Sequence, residues 1–298
     1  MTDIHTVTSR DGTAIGYRQL GQGPGLVILH GAMESSQSHI QLAEALSPTF
    51  TVYLPDRRGR GQSGPYGSPF TIQTEVDDLS ALLAKTAASN ILGVSSGAII
   101  ALQACLQLPT IQRAAIFEPP LGIDRDSATQ SLERYDAEMA NGKTSAALVT
   151  AMRATEMGPP IFKYVPRWLL EQLTTMAMAH EGSSSPSPQS PDDSNSTTTP
   201  ANMRALAPTL HYDFQISLSM SDDEAISNLS KVTTEVLLIG GSKSPTYLRS
   251  GLDRLEKVLP NINKRVVFAG LGHGATGNSD RRGQPALVAE ELRGFFGE

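Results

Sequence analysis

The sequence predicts an α/β fold, a mostly parallel central sheet with helices on both faces. Three observations predict it. Short apolar runs such as Leu26-Val27-Ile28-Leu29 read as strands covered on both sides. Stretches with apolar residues at helical spacing lie between them. One run, Asn90-Ile91-Leu92, passes through Gly93-Val94-Ser95-Ser96-Gly97 straight into the apolar helix that begins at Ala98.

In chain order, Ile4 to Ser9 and Thr13 to Leu20 read as a hairpin around Asp11-Gly12. The strand at Leu26 to Leu29 is followed by a helix at about Ser38 to Leu46 and a strand at Thr51 to Leu54. Val76, Leu79, Leu82 and Leu83 place a helix over Thr71 to Ala87. After the Gly-x-Ser-x-Gly helix comes the strand Ala114 to Phe117. The alternation resumes with a strand at Glu235 to Ile239, a helix at Tyr247 to Leu259, a strand at Arg265 to Phe268 and a helix at Ala286 to Phe296.

Between these halves it stops. Leu132 to Met139, Ala146 to Met157, Trp168 to Met178 and Met203 to Ser219 look helical, with no strand between them. The expected organisation is a core of residues 1–118 and 231–298 with a helical insertion at 119–230. Its Ser/Pro-rich stretch at 182–200 is too polar to pack and is expected to be a disordered loop.

At 298 residues, 39% hydrophobic and 18% charged, the chain has the make-up of a soluble α/β protein with an insertion. A net charge of -6 argues against nucleic-acid binding. The single cysteine, Cys105, excludes an internal disulfide. No signal peptide or membrane-length apolar run is visible, so a cytoplasmic protein acting on a small molecule is expected. Spacings such as His-x-x-x-His or Cys-x-x-Cys are lacking, and no metal or other cofactor is expected.

The Gly-x-Ser-x-Gly stretch carries the chemistry. A turn that tight leaves the Ser95 hydroxyl protruding at the carboxyl end of a buried strand. The next helix aims unpaired N–H groups at whatever Ser95 attacks. A serine needs a base, and the base an orienting acid. Of six histidines, His273 in Gly272-His273-Gly274 closely follows the last strand, on the same sheet edge as Ser95. His5 and His39 sit in segments expected to be exposed; His180 borders the polar stretch, and His211 lies in the insertion. His30-Gly31-Ala32-Met33 ends the first buried strand, with His30 read as shaping the loop. The Ala32 N–H, in preference to that of Met33, and the Ser96 N–H are the expected oxyanion donors.

With His30-Gly31, the block Asp56-Arg57-Arg58-Gly59-Arg60-Gly61-Gln62-Ser63-Gly64, the elbow at Ser95 and Gly272-His273 in this order, the chain resembles the α/β-hydrolase superfamily. The resemblance covers nearly everything outside the insertion, which falls where that family carries a helical cap. It implies a Ser–His mechanism and says little about substrate. The family's acid usually follows the strand that here ends at Ile239, yet Gly240-Gly241-Ser242-Lys243-Ser244-Pro245 holds no carboxylate. Ser244-Pro245 reads there as a helix cap followed by a first-turn proline. In a variant of the family the acid follows the preceding strand, where this chain has Glu118. The resemblance therefore implies a triad of Ser95, Glu118 and His273, with a Ser–His dyad or Asp213, Asp253 or Asp280 as alternatives. Gly59 to Gly64 also matches a dinucleotide motif, but Pro65 and Pro69 delay the helix that motif requires.

The expected function is a serine hydrolase cleaving an ester, lactone or related carbonyl bond of an apolar small molecule. Met33, Met152, Tyr164, Trp168, Met176 and Tyr212 are offered as pocket residues. Carbon–carbon hydrolysis, acyl transfer or cyclisation on the same residues is the alternative, as is a catalytically silent binding module.

Overall fold

The computed structural model describes residues 3–121, 123–156, 160–183 and 202–297. Its strands are β1 (Asp3–Thr8), β2 (Ala14–Leu20), β3 (Gly25–Leu29), β4 (Thr51–Pro55), β5 (Asn90–Val94), β6 (Arg113–Phe117), β7 (Glu235–Gly241) and β8 (Ile262–Phe268). They make one eight-stranded sheet in the order β1-β2-β4-β3-β5-β6-β7-β8. The hairpin β1–β2 and the β2–β4 pair are antiparallel, and every pair from β4 to β8 is parallel.

Side chains alternate across each strand, so the sheet builds two cores. Val27, Leu29, Ile91, Ile116, Val236 and Leu238 face one way. They pack on α2 (Ile72–Thr86), α3 (Ser96–Gln107) and, later in the chain, Leu252 and Leu255. Leu26, Ile28, Leu92, Val94, Ala115, Phe117, Leu237 and Ile239 face the other way, against α1 (Ile40–Leu46) and the helix that closes the chain. Every residue of β5 is buried. This is why the run reads as continuously apolar, and why its carboxyl end is a rigid place to mount a side chain.

Between β6 and β7 run α4 (Arg125–Ala140), α5 (Thr144–Ala154), α6 (Arg167–Ser183), α7 (Met203–Leu206), α8 (Leu210–Ser219) and α9 (Asp223–Ser227). Among the described residues no strand interrupts them. Tyr135, Ala147, Leu148, Ala151, Met178, Ala207, Leu210 and Phe214 form their own core, and Ala32 and Met33 of the sheet's rim pack against it. The single helix expected over Met203 to Ser219 is broken at Ala207–Thr209, which form a short 3-10 turn around Pro208. Proline has no N–H to continue the α ladder there. Of the polar stretch at 182–200, residues 182 and 183 end α6, and the rest lies outside the described residues.

The chain closes with α10 (Thr246–Val258), β8 and α11 (Pro285–Gly297). Pro245, not Ser244, is the cap residue of α10, with extended backbone at φ -49° and ψ 146°. Among the described residues no helix is long and apolar enough to cross a membrane.

Candidate active site

Ser95 follows β5 directly and has φ +55° and ψ -120°, a backbone state that side chains rarely adopt. Two glycines make that turn possible by close approach. A Cβ on Gly93 would lie 2.6 Å from the Cα of Ala98, and one on Gly97 would lie 2.5 Å from the carbonyl oxygen of Leu29. The Ser95 N–H donates to the Phe117 carbonyl at 2.9 Å, tying the turn to the end of β6. Ser96 opens α3 and, as a first-turn residue, has no acceptor within the helix for its N–H.

Glu118 comes next after β6 and also has positive φ, +45°. Its side chain is completely buried, so both carboxylate oxygens need donors. His273 Nδ1 donates to Oε2 at 2.7 Å, and the Gly241 N–H at the end of β7 donates to Oε1 at 2.7 Å. A carboxylate only accepts, so Nδ1 carries a proton in this contact. The loop after β7 thus contributes a backbone donor where a carboxylate is absent. The ring of His273 lies 5.9 Å from that of Phe117, whose carbonyl holds the Ser95 amide. Among the described residues, neither the Ser95 hydroxyl nor His273 Nε2 has a hydrogen-bond partner. Both residues are partly exposed.

The other acids are engaged elsewhere. Asp253 pairs with Arg265 at 2.7 Å, and Asp280 is exposed in a 3-10 turn. Asp213, on α8, accepts from Arg57 Nη1 and from the Ser96 hydroxyl, each at 2.9 Å, and from Arg60. Arg57 also grips Glu75 of α2 through Nε at 3.1 Å and Nη2 at 2.8 Å. Arg58 does the same between Asp78 and Asp11. The Asp56-to-Gly64 block is therefore a structural loop, closed by Gly59 N–H donating to Gly64 O at 2.9 Å, with no helix until Ile72.

The loop after β3 holds the remaining groups. His30 is buried; its Nδ1 donates to Gly31 O at 2.9 Å, and its Nε2 accepts the Arg57 N–H at 3.1 Å. Burial, then the charges of Arg60 and Arg57, push its pKa well down, so the ring is neutral. The Ala32 N–H has no acceptor among the described residues, and Met33 has φ +56°. Met33, Ser95 and Glu118 are three of six described non-glycine residues with positive φ, and all three stand at this rim. Such strain gathers at functional sites.

Sequence reasoning missed one pair here. His39, expected to be exposed, is fully buried, with Nδ1 donating to Thr276 O at 3.0 Å and Nε2 to Glu34 Oε2 at 3.2 Å. Glu34 Oε2 also accepts the Gly31 N–H at 2.7 Å. Thr276 is far away in the chain, so no local pattern announces the contact.

The expected pocket residues divide. Met33 packs under the insertion, and Tyr212 stacks on Tyr66 at 3.5 Å between ring centroids. Tyr164, Trp168 and Met176 instead stand 86%, 61% and 68% exposed among the described residues. They lie in the short turn before α6 and on its outward face, where size alone misleads. Met152 is partly buried. His211 is held by Asp136 at 2.8 Å, and His5 stacks on Tyr17. No group of three potential metal ligands occurs among the described residues.

Comparison with known proteins agrees with this architecture. Residues 26–291 match the model of the alpha/beta hydrolase family. An uncharacterized hydrolase of Bacillus subtilis, YraK, is 31% identical over 114 residues, which cover 37% of this chain and 42% of that protein. The match thus spans about two fifths of that relative. An alpha/beta hydrolase from Sphaerobacter thermophilus superposes with a TM-score of 0.74 at 29% identity, covering 98% of this chain and 100% of that one. An esterase from Rhodococcus sp. shares the fold at 21% identity and a TM-score of 0.63, covering 99% and 98%. The sheet order, the turn at Ser95 and the family match lead to one conclusion: this chain belongs to the alpha/beta hydrolase family.

Proposed function

We propose that the protein is a serine hydrolase that cleaves an ester, lactone or related carbonyl bond of a small molecule through an acyl-enzyme. One observation carries the reading. The buried Glu118 carboxylate takes the Nδ1 proton of His273 in a 2.7 Å hydrogen bond, on the rim where the strained Ser95 protrudes. This fixes the tautomer in which Nε2 is a base.

Ser95 Oγ attacks the carbonyl carbon as its proton passes to His273 Nε2. The resulting oxyanion is held by the N–H groups of Ala32 and Ser96, which spend nothing on other acceptors. Collapse breaks the bond to the leaving group, which receives the proton from His273. Water, deprotonated by the same Nε2, then attacks the acyl carbon and frees Ser95. Glu118 stabilises the imidazolium in both halves. The helical insertion is the cap over this site, packing on Ala32 and Met33 of the loop after β3 and reaching Ser96 through Asp213. With Tyr164 and Trp168 exposed, the support for a strictly apolar substrate weakens.

A fluorophosphonate probe tests the reading. Wild type is expected to be labelled and Ser95→Ala not. A folded wild type that stays unlabelled overturns it.

A further inference from the structure

The Glu34–His39 pair lies beside the nucleophile, and the steps above do not use it. A side chain built on Gly31 would meet Ser95 Cβ at 2.9 Å and Glu34 Oε2 at 3.2 Å. The carboxylate and the serine thus sit around one glycine. The loop that carries Glu34 is packed beneath the insertion through Ala32 and Met33. Of the Glu34 side chain, 23% reaches solvent.

Only one of its oxygens is used. Oε2 takes the Gly31 N–H and His39 Nε2, while Oε1 has no partner among the described residues. His39 faces an acceptor on each side, the Thr276 carbonyl and this carboxylate, so both ring nitrogens carry protons and the ring is cationic. Burial works against both charges, but the mutual attraction outweighs it: the Glu34 carboxyl is held well below its usual range and His39 is pushed up. A carboxylate so stabilised is a poor proton acceptor near neutral pH. That argues for binding over base catalysis.

We propose that Glu34 Oε1 is an anionic subsite that takes a protonated amine carried by the substrate, next to the carbonyl that Ser95 attacks. This specificity rests on the serine-hydrolase reading. An ammonium fits better than a neutral hydroxyl because its own charge adds Coulomb attraction to the hydrogen bond with the carboxylate. The nearby arginines do not compete, since Arg57 and Arg60 are matched by Glu75 and Asp213.

The test uses a substrate pair of equal shape, S-(2-dimethylaminoethyl) thioacetate and the uncharged S-(3-methylbutyl) thioacetate. In wild type the ratio of kcat/KM is expected to favour the ammonium ester by roughly tenfold or more. In Glu34→Gln the ratio should fall toward one. Taking the ratio within each variant cancels any general loss of Ser95 reactivity. The corresponding stable amides, N-(2-dimethylaminoethyl)acetamide and N-(3-methylbutyl)acetamide, titrated calorimetrically into Ser95→Ala, read the subsite without turnover and should show the same preference. Binding of both amides alike or of neither overturns the proposal, as does a preference that survives in Glu34→Gln. A calorimetric preference without fluorophosphonate labelling of wild type would instead overturn the serine-hydrolase reading and leave the subsite standing.

Discussion

Two histidine–carboxylate pairs flank the turn at Ser95, and they are built in opposite senses. In Glu118–His273 the acid is completely buried with both oxygens engaged, and the ring keeps 15% of its side chain exposed. In Glu34–His39 the ring is the buried member, at 1%, and the acid is 23% exposed with one oxygen unpartnered among the described residues. Burial decides what each pair can offer. On the proposed mechanism the first presents the imidazole nitrogen that acts as base. On the proposed specificity the second presents a carboxylate oxygen to a cationic substrate group. The same two residue types would thus serve different chemistry according to which one is left exposed.

The largest expected effect follows from removing the acid of the first pair. On the proposed mechanism, Glu118→Gln loses the charge that orients His273 and stabilises its cationic form. Turnover should fall by roughly two to four orders of magnitude. Steady-state kcat on a p-nitrophenyl ester measures it, and near-normal activity would return the acid's role to a residue elsewhere. Glu34→Gln is the contrasting variant, since its expected signature is the fall in the kcat/KM ratio between the two thioacetates.

How far these features could be read in the sequence depends on how local their causes are. The turn at Ser95 is visible because Gly93, Gly97 and the apolar flanks are contiguous, and the sheet because each strand carries its own apolar run. Glu118 is legible for a different reason: it follows a strand end and the loop at 240–245 has no acid. The Glu34–His39 pair was not legible. Its burial is created by Thr276, from the far end of the chain, and a histidine beside Gln37 and Ser38 looks exposed until that loop closes over it. Asp213 looked like a spare acid because its neutralising arginines are over 150 residues away in the chain. Tyr164 and Trp168 failed for the converse reason. Their size suggests burial, but they stand exposed among the described residues.

The next effect concerns the buried charges beside Ser96. Asp213 brings α8 of the insertion to Arg57, Arg60 and the Ser96 hydroxyl, all inaccessible to water. Asp213→Asn leaves two buried cations with only Glu75 to balance them. Breaking a buried pair in this way costs about 3–5 kcal/mol. Urea denaturation should show that loss, and a loss below about 1 kcal/mol would mean that water reaches the network.

A smaller, pH-dependent effect is expected from the second pair. His39→Gln removes the cation facing Glu34 and should cost about 1–3 kcal/mol near pH 6. The folded-state pKa of His39 is raised, so its contribution is complete below the unfolded value of about 6.5 and disappears as pH climbs through the folded value. Glu34 is lowered, so its contribution is present above about pH 4.3 and is lost only as pH falls through its folded value. The deficit of the variant relative to wild type should therefore be flat from about pH 5 to 6.5 and shrink on the alkaline side. Denaturation midpoints across that range check the sign. A deficit that grows with rising pH would show His39 to be neutral in the folded protein.

The smallest effect lies in the loop after β7, where the chain has no acid. Ser244 is 4% exposed, and its hydroxyl has no hydrogen-bond partner among the described residues, the cap position it could have filled being taken by Pro245. A buried hydroxyl without a partner has lost its water and gained nothing in exchange. Ser244→Ala removes that group at almost unchanged volume, so stability should stay level or rise by up to about 1 kcal/mol. Activity should not move, since Glu118 takes its donor from Gly241 backbone and not from this side chain. A clear loss of stability would mean that the hydroxyl bonds a buried water, and would make this loop a second polar support behind His273.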